Sequence, residues 1–281
     1  MSKFDGVTLD GDIYTFDSVA SLRAFASTPS LANQQLHARH NSDANAKAKE
    51  RGVWFGVDTY EDALNAFDGG WTDGVNRMLT AMHDIEIPAP PTAFKRRKTR
   101  GDSGDEYDWQ AGAQGENDIA WTRPTIKKIQ TARTLTLFCD LGHNSSHHTN
   151  AEQFFWRGAA ILFLADRLSH AGYNVQIIAS AREQHMSPSK RTSQINVIVK
   201  HPEMPLDLDT LASTLCLSAF YRILMLSAIT AIEIEKLEDG TSYAREAISA
   251  PSDYRIQADD LATAREAVKQ ALAKNNRGMQ C

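Results

Sequence analysis

Cysteine is scarce: Cys139, Cys216 and Cys281 are the only three in 281 residues, and their spacing is not paired. A disulfide framework and a C-x-x-C redox or metal motif are therefore excluded, and a reducing compartment is expected. Long uncharged apolar runs are also missing. The nearest candidate, Leu211 to Ile232, carries Arg222 near its middle together with Ser213, Thr214, Ser218 and Ser227, and a charge at bilayer depth costs roughly 2.5–3.5 kcal/mol on insertion scales. That run reads as a buried helix with Arg222 at an edge, not as a membrane span. Met1 leads into Ser2, Lys3, Phe4 and Asp5 rather than a charged segment followed by an apolar one, so no export signal is expected and the cytoplasm is the expected location. An excess of basic charge is missing too, since 30 Lys and Arg face 35 Asp and Glu for a formal net charge of −5. This excludes a general attraction to polyphosphate, and any nucleic-acid contact must come from a local basic patch. No G-x-x-x-x-G-K-[ST], G-x-S-x-G or H-E-x-x-H occurs. The common nucleotide-binding, hydrolase and zinc-protease signatures are thus absent, and no enzyme activity is expected.

What the sequence does have is 42% hydrophobic residues, enough for a sizeable core. Val19, Leu22 and Phe25 are spaced as one face of a short helix. Asp58 or Thr59 caps a second helix with Ala63, Leu64 and Phe67 on one face, stopped by Gly69-Gly70, and a third starts at Thr72 or Asp73 with Val75, Met78, Leu79 and Met82 inward. Between Ile87 and Trp121 the pattern dissolves. Pro88, Pro90 and Pro91 introduce Lys95-Arg96-Arg97-Lys98-Thr99-Arg100, after which Asp102, Asp105, Glu106 and Asp108 reverse the sign. Blocks of this kind are solvated loops. The expected division is a helical N-terminal region, 1–86, a charged flexible loop or linker, 87–130, and an α/β domain, 131–281.

The C-terminal part has the clearest grammar. Thr134 to Cys139 is a β-rich run, followed by the polar stretch Asp140 to Asn150. Asn150 with Gln153 makes a helix-opening box, and the helix runs from Ala151 to His170 with Gly172 as its stop. Asn174 to Ala179 and Gln194 to Val199 are the next strands. Asp207 or Asp209 opens a long apolar helix, and Ala258 to Lys274 forms a last amphipathic one. Strand, helix, strand, strand, helix predicts a Rossmann-like three-layer α/β fold with β-strands 134–139 and 174–179 parallel and adjacent, so that Asp140 emerges at the carboxyl rim of the sheet.

A strand ending in Asp140, then Gly142, His143, Asn144, Ser145 and Ser146, then a long helix, resembles the first strand and helix of von Willebrand factor A-like domains. In that family the loop reads Asp-x-Ser-x-Ser and binds a divalent metal. Here Asp140 is kept, Gly142 stands for the first serine and Asn144 for the second. The resemblance implies oxygen ligands from Asp140, Asn144 and Ser145 for a hard cation such as Mg²⁺, or a degenerate loop that needs no cofactor. Arg157-Gly158-Ala159-Ala160, Ala171-Gly172-Tyr173 and Gly70-Trp71-Thr72-Asp73-Gly74-Val75 are similar to the hallmarks of an uncharacterised family of A-like domains from phage and mobile-element genomes. This second resemblance covers roughly residues 50–82 and 134–200 and implies a scaffold of phage type with no established reaction.

Two further constellations bear on function. His143 and His147 with His148, Cys139 and Asp140 would make a transition-metal site on a helix, but the helix opens only near Asn150, and solvated loop histidines are the plainer reading. Cys139 falls within a strand, where a thiol is ordinary packing, while Trp54, Phe55 and Trp71 read as core of the N-terminal helices, and His37 and His40 as surface. The basic residues Lys95, Arg96, Arg97, Lys98 and Arg100 would bind phosphates, and Trp109, with Phe94, Tyr107 and Trp121 nearby, would stack on bases. The alternative is a loop whose basic and acidic halves pair transiently. The leading expectation is a non-enzymatic phage-type accessory or adaptor protein that binds single-stranded DNA and recruits a protein partner such as a polymerase or ATPase. A divalent-metal module or metal-dependent enzyme centred on the Asp140 loop, and a virion structural component, are the alternatives.

Overall fold

The computed structural model describes residues 6–27, 55–85, 97–101, 106–116, 121–125, 134–142, 151–185, 192–234, 242–245 and 252–278. Contacts divide the chain into a main unit, Met1–Pro88 with Thr134–Cys281, and a small unit, Ala89–Arg133. The expected helical N-terminal region is thus part of the same unit as the C-terminal half. It contributes strands as well as helices: β1 (Val7–Asp10) and β2 (Ile13–Phe16) form a hairpin, and β2 pairs in parallel with a strand of the C-terminal half.

The three expected N-terminal helices are present. In α1 (Val19–Ala26), Ser18 and Ser21 satisfy each other's backbone N–H groups as a capping box, and Leu22, Phe25 and Ala26 are buried. In α2 (Tyr60–Gly69), Thr59 and Asp62 make the same box, and Ala63 and Ala66 face inward. α3 (Thr72–Met82) buries Val75, Met78 and Met82. The small unit holds β3 (Arg97–Gly101), β4 (Glu106–Tyr107), α4 (Trp109–Ala113) and β5 (Trp121–Thr125), so the charged stretch expected to be a loop contains an antiparallel three-stranded sheet of order β3-β5-β4. Pro124 lies in the central strand, opposite Lys98 and beyond the reach of two-residue β4, where its missing N–H costs no ladder bond on that side.

In the main unit β6 (Thr134–Asp140), α5 (Ala151–His170) and β7 (Asn174–His185) follow the expected strand, helix, strand order, and β6 and β7 are adjacent and parallel. α5 ends where Gly172 and Tyr173 donate their N–H groups back to the Ser169 and Leu168 carbonyls. β8 (Thr192–Lys200) pairs antiparallel with β7. The connection from His185 to Thr192 is too short for a crossover, which takes about a dozen residues. Next come α6 (Leu208–Leu215), a π-helical segment Phe220–Met225 continuing into α7 (Leu226–Ile234), β9 (Ser242–Arg245), β10 (Tyr254–Ile256) and α8 (Leu261–Gly278). The sheet order is β1-β2-β8-β7-β6-β10, with β10 parallel to β6 and β9 pairing Arg182–His185 of β7 on the edge that β8 leaves open.

Leu135, Leu137 and Cys139 of β6 belong to one core with buried residues of α1, α2, α3, α5, α6, the π-helical segment, α7 and α8. Phe138 and Ile178, on the opposite face, form a separate pair. Among the described residues the helices of this unit therefore lie over one face of the sheet, where a three-layer arrangement would cover both. The apolar run expected to be one helix breaks at Cys216–Leu217. Arg222, expected at an edge, is 4% exposed within the π-helical segment, with its guanidinium over the Phe154 ring at 5.4 Å. Burial pushes that guanidinium down to about 10. Among the described residues no single helix is long and apolar enough to cross a membrane; the bent pair Leu208–Leu215 and Phe220–Ile229, at 61°, passes by length and composition only, and its residues belong to the core.

α5 and α6 meet at Gly158, where a Cβ would strike the Leu215 carbonyl and lie 2.8 Å from the Cys216 nitrogen. Because both atoms are backbone, neither helix can yield cheaply. Gly158→Ala is expected to destabilise the main unit by about 1–3 kcal/mol, read as a lower urea midpoint at unchanged slope. Lys200 is buried at the end of β8, its Nζ donating to the Val175 and His201 carbonyls at 2.7 and 3.1 Å. Desolvation lowers its pKa, so the unfolded chain binds the extra proton just below the ordinary lysine range. The stability this group contributes is present above that range and lost as pH falls through the lowered value. The buried thiols of Cys139 and Cys216 act with the opposite sign over the same range, so the lysine is read as a difference. As pH rises toward the ordinary lysine range, stability measured by unfolding should fall more steeply in Lys200→Met than in the wild type.

Candidate functional site

The chain order reverses at β6: β7 and β8 lie to one side and β10 to the other. In open α/β sheets the carboxyl ends of strands at such a reversal are where ligands bind. Asp140 ends β6 there, fully buried. Its Oδ2 accepts from Arg255 Nη2 of β10 at 2.8 Å, and its Oδ1 accepts from the Gly142 N–H at 3.1 Å. Its backbone carbonyl accepts from Arg157 Nη1 at 2.9 Å, and Arg157 Nη2 donates to Asp259 at 2.8 Å. Arg157 is 1% exposed, in the second turn of α5. Two buried charges, Asp140 and Arg157, are thus each paired with a more exposed partner from the β10 segment, and Asp253 adds a clamp by accepting from the Thr136 N–H at 2.8 Å while its own N–H donates to the Thr136 carbonyl at 2.9 Å.

A buried polar row continues across the sheet. Ser180, the register partner of Asp140, donates to Asn196 Oδ1 at 2.8 Å, and Gln194 donates to the same oxygen at 3.0 Å. Arg77 of α3 stacks over Phe155 at 4.0 Å and Trp156 at 5.0 Å, and both Arg77 and the Trp156 indole N–H donate to Glu152. Cys139 lies in the core, its thiol pushed up to about 12 by burial, and Cys216 is raised further for the same reason. Neither thiol is a nucleophile at neutral pH.

In the small unit Trp109 is 80% exposed. Its ring meets Tyr107 edge to face at 4.9 Å, and Tyr107 meets Trp121 in the same manner at 5.0 Å. Tyr107 and Trp121 are register partners of β4 and β5, and the neighbouring strand β3 carries Arg97, Lys98 and Arg100, with Arg123 on β5.

A family model described as a domain of unknown function (DUF7192) matches residues 11–272, from the β1–β2 turn into α8. The chain belongs to the DUF7192 family. No curated protein and no solved structure matches it.

Of the residues expected to bind a metal in this DUF7192 chain, Asp140 stands at the carboxyl rim, whereas Asn144 and Ser145 lie outside the described residues, as do His143, His147, His148, His37, His40, Trp54 and Asn150. Both Asp140 carboxylate oxygens already accept hydrogen bonds, Oδ2 from the Arg255 guanidinium and Oδ1 from the Gly142 N–H, so a cation there would sit beside a fixed positive charge. Among the described residues no three His, Cys, Asp or Glu side chains converge on a point that could hold one. Of the residues expected to bind nucleic acid, Lys95 and Arg96 lie outside the described residues, while Arg97, Lys98 and Arg100 are in β3 and Trp109 opens α4. Roles for Arg157, Arg255 and Asp259 were not foreseen, Arg157 having been noted only within a motif. An arginine inside the apolar run Phe154 to Leu164 was the available signal for the first; nothing local marks the other two.

The hallmark motifs find structural explanations. Gly158 admits α6, Arg157 holds the end of β6, and at Gly74 a Cβ would collide with the Trp71 ring, which packs edge to face on Phe155 at 5.8 Å. Arg255→Met would remove the guanidinium that donates to Oδ2 of the buried Asp140 carboxylate. A loss of about 3–5 kcal/mol is expected, and addition of Mg²⁺ should raise the melting temperature of neither protein; a rise confined to the wild type would favour the metal reading.

Proposed function

We propose that this DUF7192 protein is a non-enzymatic adaptor that holds single-stranded DNA on its small unit and offers its main unit to a protein partner. The observation that carries the reading is Trp109, a large ring 80% exposed beside Tyr107 and Trp121, on a small sheet whose strands carry Arg97, Lys98, Arg100 and Arg123. An exposed large apolar side chain is informative where a buried one is not, and stacking rings beside cations are what single strands need, since every base offers a π-face and every nucleotide a phosphate. With an overall charge of −5, the attraction has to be local.

For the main unit, β8-β7-β6 with β6 counted first runs third-second-first, and β10 follows on the other side of β6, the reversal at the first strand that doubly wound sheets show. This supports a degenerate von Willebrand factor A-like scaffold, and the commitment of Asp140, Arg157, Arg255 and Asp259 to one another suits a scaffold better than a catalyst. The resemblance in residues 50–82 and 134–200 supports a phage-type accessory factor acting in the host cytoplasm, with a replication or transcription polymerase or an ATPase as its partner.

Fluorescence anisotropy with labelled oligothymidylate and a duplex of equal length, at low salt, tests the DNA half. The single strand should bind more tightly than the duplex, and Trp109→Ala should weaken it by about 5- to 100-fold, the value of one stacked base. Replacing Arg97, Lys98 and Arg100 by alanine should make the salt dependence shallower, by about 0.7 in slope for each phosphate no longer neutralised. Wild-type protein that ignores the single strand would remove the proposal.

A further inference from the structure

Trp109 is exposed, yet it is held. Asp108 caps α4, its Oδ1 accepting from the Gln110 and Ala111 N–H groups at 3.1 and 3.3 Å, and the Gly112 N–H donates to the Asp108 carbonyl at 3.0 Å. This fixes the backbone from which the indole projects. The ring itself rests on Tyr107 with an interplanar angle of 76°, and Tyr107 rests on Trp121 at 65°. Tyr107 is fixed at its base by pairing with Trp121 in the sheet. It is fixed at its tip by Gly112, where a Cβ would collide with the tyrosine hydroxyl and lie 2.7 Å from Cζ and 2.9 Å from Cε1. The tyrosine therefore fits only because residue 112 has no side chain.

We infer that Tyr107 is the positioning residue for a stacking platform formed by Trp109, that Gly112 is the notch that seats it, and that the ligand taken there is the face of an unpaired base. This rests on the single-strand reading above and adds how the site is built. A solvent-exposed indole without support samples several rotamers, and stacking must freeze one of them. Freezing a rotamer-rich side chain costs about 0.5–1.5 kcal/mol, and a platform held in advance by Tyr107 avoids that cost. A base inside a duplex already has both faces covered by its neighbours, so the platform selects single strands by the availability of a π-face and not by the order of the bases.

The test separates base-dependent from phosphate-dependent binding in the full-length protein. Two probes of equal length are titrated, an oligothymidylate and an abasic deoxyribose-phosphate oligomer, with tryptophan emission recorded alongside anisotropy. Wild-type protein should bind the base-bearing probe more tightly and show quenching with it alone. Gly112→Ala keeps all three rings and every charge. It should lose about 2- to 12-fold of the preference for the base-bearing probe, the ordering cost of one side chain, while affinity for the abasic probe stays unchanged. Tyr107→Leu should behave like Gly112→Ala, and Tyr107→Phe, which keeps the ring contacts, like wild type. If Gly112→Ala and Tyr107→Leu keep the full preference while Trp109→Ala loses it, the positioning role is overturned and the single-strand reading stands. Equal weakening toward both probes in Gly112→Ala also overturns it, since that reports loss of the unit's structure. If wild-type protein does not distinguish the two probes, the proposed function itself fails.

Discussion

The main unit depends on how α5 lies across the end of β6. The helix is buried on nearly every side, and it carries one arginine, Arg157, into that interior. An isolated buried guanidinium is too costly to keep. The fold satisfies it with the carbonyl that ends β6 and with Asp259 just after β10, and the adjacent Gly158 lets the helix come close enough to α6 for the geometry to close. Arg255 of the same β10 segment answers the second buried charge, Asp140. A three-residue strand is thereby anchored to the centre of the sheet by charges as well as by its short ladder.

That arrangement changes the meaning of the loop after β6. An aspartate at the carboxyl rim of a parallel strand suggests a cation when read alone, and the flanking glycine, asparagine and serine reinforce the suggestion. In the folded chain the carboxylate already faces a positive charge, supplied by a residue more than a hundred positions away. A cation bound there would sit next to that guanidinium and be repelled by it. The rim serves as a cross-link between β6, β10 and α5, and among the described residues the exposed indole, Trp109, lies in the small unit.

Much of the main unit could be read in the residues. Thr134 to Asp140 is dense in β-formers, the apolar positions after Ala151 repeat at helical spacing, and Gly172 ends that helix where expected. Of the two expected caps for α2, Asp58 and Thr59, it is Thr59 that caps, with Asp62 completing the box. What was not legible depends on distant partners. β10 is Tyr-Arg-Ile, too short to carry a period, and becomes a strand only beside Leu137, Phe138 and Cys139. The direction of β8 follows from the length of a connection and not from its own residues. β1 and β2 did leave a trace, since Gly11-Asp12 between two β-forming runs is a two-residue hairpin loop of the Gly-X kind. β3, reading Arg-Lys-Thr-Arg-Gly, has no apolar alternation, and its charge block has the composition of a solvated loop. For the candidate site, the types of residue were visible at Trp109, Tyr107 and Trp121, but the exposure of one indole and the seating of Tyr107 against Gly112 are properties of packing.

The small unit is one continuous stretch of chain, Ala89–Arg133, whereas the main unit is assembled from both sides of it. During synthesis the small unit leaves the ribosome before β7 or β8 does. The hairpin β1–β2 must meanwhile wait for β8, and β6 for β10, the last strand of all. Such distant pairings make closure slow, so Tyr107, Trp109 and Trp121 emerge while most of the main unit's sheet is still unmade.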